Sequence, residues 1–210
     1  DDSNSMFKLD EKDMMPFSFK KEIREIQLDV VDYSKKILEA ARRGDMESAL
    51  DIFETMIDDG IAPDDYSYGI VMDGFVKVKN IEKVFALFDE MQSRGLVPSL
   101  YTFNIALTAC AVNADLDKAL GLFHDLKYRR RLRPNVHNYG SLLNVCVQAG
   151  DLSMAKKQFD EMASAGVRGD LVAYTTMIAA YAAENDKEKG QEYVDDCLKL
   201  LEAMRSQDVR

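Results

Sequence analysis

An aromatic residue returns along this chain at a nearly constant interval, at Tyr33, Tyr68, Phe103, Tyr139 and Tyr174, with spacings of 35, 35, 36 and 35 residues. The segments around the first four anchors align with one another: VVDYSKKILEAARRGDMESALDIFETMIDDGIAPD, DYSYGIVMDGFVKVKNIEKVFALFDEMQSRGLVPS, LYTFNIALTACAVNADLDKALGLFHDLKYRRRLRPN and VHNYGSLLNVCVQAGDLSMAKKQFDEMASAGVRGD. Self-similarity at a period of this size marks one small supersecondary unit, copied, that cannot bury its own apolar face alone. The units must therefore stack, each covering its stripe with the next, into an elongated superhelix.

Each unit predicts two helices. The first carries apolar residues three or four apart, such as Tyr33, Ile37, Leu38 and Ala41. The second carries Ala49, Ile52, Phe53 and Met56 in copy one and Ala155, Phe159 and Met162 in copy four, a stripe that must meet neighbouring helices as core. Between the halves stand Gly44-Asp45, Lys79-Asn80, Asn113-Ala114-Asp115 and Gly150-Asp151, suited to a C-cap followed at once by an N-cap. Gly60, Gly95 and Gly166 end second helices, and Pro63, Pro98 and Pro134 close units, with Gly169 at that place in copy four.

The ends depart from the pattern. Residues 1–15 are polar and acidic, after which Phe17, Phe19, Ile23, Ile26 and Leu28 predict an amphipathic turn or helix against copy one. The fifth copy fits only with an insertion of about seven residues, roughly two helical turns. That insertion predicts a long final helix from Asp186 to Met204, broken or bent near Gly190.

Composition excludes several classes. With 47% apolar and 30% charged residues the chain is neither disordered nor membrane-spanning, and no run of about 18 apolar residues occurs. Cys110, Cys146 and Cys197 form no CxxC pair and there are two histidines, so no metal site is expected and the thiols read as reduced core residues. Cys110 and Cys146 stand seven residues after Phe103 and Tyr139, at one helix contact in successive copies. The net charge of −10 is unlike a nucleic-acid binder, yet it is uneven: residues 30–64 carry four basic and nine acidic side chains, residues 100–135 six and three. Asp58-Asp59, Asp64-Asp65 and Asp195-Asp196 read as solvated acids at helix ends or on exposed faces.

Two repeat families share a helix pair and a late proline. The tetratricopeptide unit expects an early tryptophan and a Leu-Gly pair, and this chain contains no tryptophan. The starts LYTFN, VHNYG and VVDYS, the middles ALDIFETM, VFALFDEM and AKKQFDEM, and the ends DDGIAPD, SRGLVPS and SAGVRGD resemble instead the pentatricopeptide-repeat pattern over about residues 30–185. The resemblance implies an all-α fold, a right-handed α-solenoid superhelix of stacked antiparallel helix-turn-helix repeats. Its divisions are an N-terminal extension or cap at 1–29, repeats at 30–64, 65–99, 100–135 and 136–170, and a divergent fifth repeat with a long C-terminal helix at 171–210.

The resemblance also implies that the first helices line a concave face and that each repeat addresses one base of single-stranded RNA. Base identity falls to the residue after the anchor and the last residue of the repeat: Ser34 with Asp64, Gly69 with Ser99, Asn104 with Asn135, Gly140 with Asp170, and Thr175 with no assigned partner. Ser with Asp resembles the family's pairing for guanine, and Asn with Asn its pairing for pyrimidines. Gly69 and Gly140 remove the reading side chain, so two of the five modules look blind. Two residues before each anchor, Val31, Tyr66, Tyr101, His137 and Val172 take the place whose side chain packs against base faces in the family. A helix-capping role, or contact with the preceding repeat, is the equally physical reading of those five positions.

Lys127, Arg129, Arg130, Arg131 and Arg133 make one basic cluster, a candidate for phosphate or partner contact that a helix C-terminus also favours through its dipole. No Walker loop, dinucleotide fingerprint or nucleophile elbow is present, so no catalysis, cofactor or small-molecule substrate is expected. The functional expectation is a single-stranded RNA-binding or RNA-associated organellar protein acting in RNA processing, stability or translation by docking. The alternative is a structural scaffold subunit of a large organellar complex, binding protein partners through the solenoid. Localisation to chloroplast or mitochondrion follows from the resemblance alone. The chain opens on Asp1-Asp2, and a targeting peptide is expected outside these residues.

Overall fold

The computed structural model describes residues 17–183 and 190–206, and all regular structure among them is helical. In order these are α1 (Phe17–Arg42), α2 (Met46–Asp58), α3 (Asp65–Lys77), α4 (Ile81–Ser93), α5 (Leu100–Val112), α6 (Leu116–His124), α7 (Val136–Gln148), α8 (Leu152–Ser164), α9 (Leu171–Ala183) and α10 (Gly190–Ser206). One element at the ends differs from the sequence expectation. From Phe17 onward the extension is continuous with the first copy, because α1 is one helix of 26 residues. No glycine or proline interrupts Phe17–Arg42, so nothing breaks the hydrogen-bond ladder there. The final helix is described from Gly190 to Ser206, and the expected start at Asp186 and the approach to the expected break near Gly190 lie outside the described residues.

The turns inside the copies share one construction. The N–H of Asp45 donates to the carbonyl of Ala40 (3.1 Å) and that of Gly44 to Ala41 (3.1 Å), a double cap that requires a left-handed residue between them. Gly44 supplies it with φ of 76°, while Lys79 (60°) and Ala114 (52°) adopt the same conformation with a side chain present. Each of those two costs ~1–2 kcal/mol, which the caps and the buried stack must offset. The next side chain turns back as N-cap: Asp45 accepts from Ser48 N–H (3.1 Å), Asn80 from Lys83 (3.2 Å), Asp115 from Lys118 (3.1 Å) and Asp151 from Met154 (2.8 Å).

Copy three accommodates its extra residue in α6, whose continuation over Asp125–Arg129 widens into a π-helical turn. The closing cap stretches accordingly. Leu132 N–H reaches the carbonyl of Leu126 (3.0 Å), six residues back, where Ile61, Leu96 and Val167 reach Met56, Met91 and Met162, five back. Arg131 (φ 54°) takes the left-handed place held by glycine in the other copies.

Stacking is carried by a repeated aromatic contact. The phenylalanine of each second helix meets the next copy's anchor edge-on: Phe53 with Tyr68 at 4.9 Å between ring centroids, Phe88 with Phe103 at 5.5 Å, Phe123 with Tyr139 at 5.0 Å, and Phe159 with Tyr174 at 5.4 Å. Each such pair adds ~0.5–1.5 kcal/mol beyond area burial. Successive first helices pack directly on one another, α1 on α3, α3 on α5, α5 on α7 and α7 on α9, while the second helices α2, α4, α6 and α8 pack chiefly against first helices. The first-helix layer is thus the shorter, inner layer of a curved α-solenoid. Cys110 and Cys146 are fully buried as free thiols, and burial pushes both up to about 12. No described helix is long and apolar enough to cross a membrane.

Candidate functional site

The inner layer presents a ladder of exposed side chains. Tyr66, Tyr101, His137 and Val172 are the second residues of α3, α5, α7 and α9, and Val31 takes the equivalent place within the longer α1; all five are exposed. The anchors two positions on point the opposite way into the stack, because two residues turn a helix by about 200°. Tyr68, Phe103 and Tyr139 are accordingly fully buried. The rings of Tyr66 and Tyr101 stand 6.5 Å apart and 33° from parallel. Two rings holding a base between them need about 7 Å, twice the ~3.4 Å rise of stacked bases.

The candidate reading pairs fall into two classes. In copy one, Ser34 is buried with its Oγ 2.9 Å from Ser67 Oγ, and Ser67 donates both its N–H and its hydroxyl to Asp64 Oδ1, each at 2.8 Å. That pair is closed on itself. In copy two, a Cβ on Gly69 would come within 2.5 Å of Tyr101 Cε1, so the absent side chain makes room for the ring of the next copy. Ser99, its partner, caps α5 through Thr102 N–H (3.3 Å) and donates its own N–H to Asp65 (3.1 Å).

Copies three and four are open. Tyr101, Asn104, Asn135 and His137, with Ser99 and Leu100, line a pocket of about 490 Å³. Asn104 Oδ1 accepts from Ser141 Oγ (2.9 Å), and Asn135 Oδ1 accepts from Asn138 N–H (3.1 Å), so both amides keep their NH₂ groups as donors toward the pocket. The neighbouring pocket, about 410 Å³, lies between His137 and Val172 and takes in Gly140, Asp170, Ser141, Asn144 and Thr176. Thr175 is exposed on α9, its hydroxyl donating to the Leu171 carbonyl (2.7 Å). Sequence reasoning missed Ser141, Asn144 and Thr176. The available signal was their spacing of four residues from His137, Gly140 and Val172 on the same helix faces.

Charge is distributed unlike the whole-chain sum. α5, α7 and α9 carry no Asp, Glu, Lys or Arg, so the inner layer over copies three to five is uncharged. α2, in the outer layer, has Glu47, Asp51, Glu54 and Asp58 and no base. Within the basic cluster, Lys127 pairs with Glu161, Arg129 and Arg130 with Asp125 (3.6 and 3.4 Å), and Arg130 also with Gln92 (2.6 Å). Among the described residues only Arg131 and Arg133 of that cluster have no partner. Several acids expected to be merely solvated also hold the fold: Asp59 accepts from Tyr33, Asp65 from Thr102, and Asp196 pairs with Lys156 at 2.9 Å.

A model of the PPR repeat family matches residues 28–77, 67–112 and 134–183, and a second PPR repeat model matches 101–130 and 172–200. Among solved structures the chain is similar to the pentatricopeptide repeat protein PPR10 in complex with an 18-nt psaJ RNA element. The two are 27% identical with a TM-score of 0.67, over 84% of this chain and 28% of that one. The chain therefore spans less than a third of that relative's length. The PPR domain of Arabidopsis thaliana protein-only RNase P 1, in complex with tRNA, shares the fold at 17% identity and a TM-score of 0.67, over 87% of this chain and 92% of that one. No curated protein matches the chain significantly by sequence. With family repeats matched across residues 28–200 and anchors, caps and stacked helix pairs recurring at the same period, the protein belongs to the pentatricopeptide-repeat family.

Proposed function

We propose that this solenoid binds single-stranded RNA along its inner layer and serves as an organellar RNA-binding protein in RNA processing, stability or translation, by docking and without chemistry of its own. The observation that carries this reading is the pair of adjacent pockets in copies three and four, walled by Tyr101, His137 and Val172 on helices without formal charge, with the Asp170 carboxylate at one edge. The RNA-bound relative at 27% identity supports it. In this reading copy three takes a base whose edge offers acceptors to Asn104 and Asn135, as the O2 of a pyrimidine does, while His137 and Tyr101 stack on its faces. The closed pairs Ser34 with Asp64 and Gly69 with Ser99 contribute scaffold, with Tyr66 and Val31 as stacking surfaces. Arg131 and Arg133 reach phosphate, and Lys127, Arg129 and Arg130 hold the π-helical turn.

The test is a titration of short single-stranded RNAs across a salt series. Two free cations at ~0.7 per phosphate give an expected slope of log K against log salt near −1.4. An otherwise identical protein with Asn104→Ala and Asn135→Ala should bind more weakly at every salt concentration. Absence of binding by the unaltered protein at low salt refutes the proposal. Protein scaffolding is the second reading, favoured by the all-acidic outer face of α2, and it would then lead.

A further inference from the structure

The two glycines at reading positions are alike in sequence and opposite in surroundings. The space over Gly69 is filled by the Tyr101 ring, whereas a Cβ on Gly140 would meet nothing within 4 Å. The pocket of copy four therefore continues past Gly140 along α7 to Ser141 and Asn144, and across to Thr176 on α9. Asn144 follows Gly140 by four residues, which puts it on the same helix face about 6 Å further along the axis.

Most polar groups of this pocket are already engaged. Ser141 donates to Asn104 (2.9 Å), Thr108 donates to the Asn104 carbonyl (2.8 Å), and Asp170 uses Oδ1 to accept from Ala173 N–H (2.9 Å). The Asn144 side chain is exposed and makes no hydrogen bond to any described residue, and the second carboxylate oxygen of Asp170 is likewise open. The pocket thus presents a free amide one turn along α7 from Gly140 and a free carboxylate oxygen on Asp170.

Of the two base classes, a purine with its second ring extends further from Asp170 toward a side chain one turn along α7 than a pyrimidine does. The chemistry agrees: an asparagine amide matches the adjacent N6 donor and N7 acceptor of adenine, and its NH₂ can instead serve the O6 and N7 acceptors of guanine. A carboxylate oxygen accepts from the amino group of either base. We infer that the copy-four pocket takes a purine and that Asn144, together with Asp170, reads it in place of the side chain missing at Gly140. This specificity assignment rests on the RNA-binding reading above.

The experiment selects randomised ten-nucleotide RNAs on the whole chain and then titrates single-position variants of the best binder by fluorescence anisotropy. Unaltered protein, Asn144→Ala, Gly140→Asn and the double variant are compared, with circular dichroism melts run on each. Unaltered protein is expected to prefer a purine at one position next to the pyrimidine of copy three. Asn144→Ala should weaken that RNA about tenfold and abolish the purine preference at that position alone. Alanine raises helix propensity at this exposed site, so the fold survives. Gly140→Asn fills the upper pocket and should move the preference to a pyrimidine whether or not Asn144 is present. Purine preference that persists in Asn144→Ala at unchanged affinity overturns the assignment and leaves RNA binding standing. A protein that binds no RNA overturns both.

Discussion

Removing the ring of Tyr101 tests the site at its most shared point. That one ring walls the copy-three pocket, faces Tyr66 at 6.5 Å and covers Gly69. Alanine in place of a stacking aromatic costs ~1–3 kcal/mol per base, about 5- to 150-fold in affinity. Because one side of the ring is occupied by Gly69 and Tyr66, a single base stacks on what remains, and the lower half of that range applies: about 5- to 30-fold for Tyr101→Ala. The variant also loses packing. Tyr101 is 45% exposed, and burying roughly half of a ring and stem of about 200 Å² stabilises by ~2 kcal/mol, so a melting curve must accompany each titration. Tyr101→Phe separates the two effects. Burial and the nearby carboxylates Asp73 and Asp65 push the phenol up, so it is uncharged at neutral pH and its loss removes no charge. Phenylalanine should therefore bind within about twofold of the unaltered protein. Fluorescence anisotropy on a labelled RNA at fixed low salt reads all three proteins. Folded Tyr101→Ala that binds within about twofold of the unaltered protein would refute stacking at this position.

Further outcomes follow from the caps, the thiols and the covered glycine. Asp151→Ala removes the N-cap of α8 at the cost of ~1 kcal/mol, a lowering of about 2–4 °C in melting temperature by circular dichroism, with RNA affinity unchanged. Cys110 and Cys146 should resist a thiol reagent at pH 8 in the folded protein and react once denatured, because burial pushes both up to about 12. The raised folded value means that these thiols support stability fully below the unfolded value of ~8.5 and lose that contribution as pH rises through about 12. Denaturant titrations from pH 8 upward should show the decline, and Cys110→Ala with Cys146→Ala should flatten its onset. Gly69→Ala should be better tolerated in a Tyr101→Ala background than alone, a coupling that a double-mutant cycle of melting free energies measures directly.

The fold was legible because its punctuation is chemical. Gly44-Asp45 and Gly150-Asp151 state a left-handed cap and an N-cap in two letters, and the structure uses them so. Lys79 and Ala114 do the same without glycine, and there the alignment with other copies carried the information that the local residue did not. The 36-residue spacing of copy three announced an added residue without saying where it would go. It enters α6 as a π-helical turn with Leu126 buried, so the wider turn leaves an apolar side chain in the core. The continuity of α1 was written in the absence of glycine and proline from Phe17–Arg42, a weaker signal than the aromatic register that set the expected boundary. At the site, sequence supplied the exposed ladder and the candidate reading positions but not their state. Whether Ser34 faces a ligand or Ser67, and whether Lys127 is free or held by Glu161, depends on residues 33 and 34 positions away.

Net charge conceals how charge is distributed over the layers. The sum of −10 averages an outer layer rich in carboxylates with inner helices α5, α7 and α9 that have no formal charge. In the proposed RNA-binding reading, two unpaired arginines give counterion release a small share, and most of the affinity comes from stacking and base-edge contacts. Two stacked bases at ~1–3 kcal/mol each and a few edge hydrogen bonds at ~1 kcal/mol sum to ~4–9 kcal/mol. That corresponds to dissociation constants from about millimolar to about micromolar, weakening with salt only along the shallow slope of about −1.4 that two cations give. Tight binding with a steep salt slope would place the dominant contacts outside these pockets, on cations that the geometry assigns to the fold.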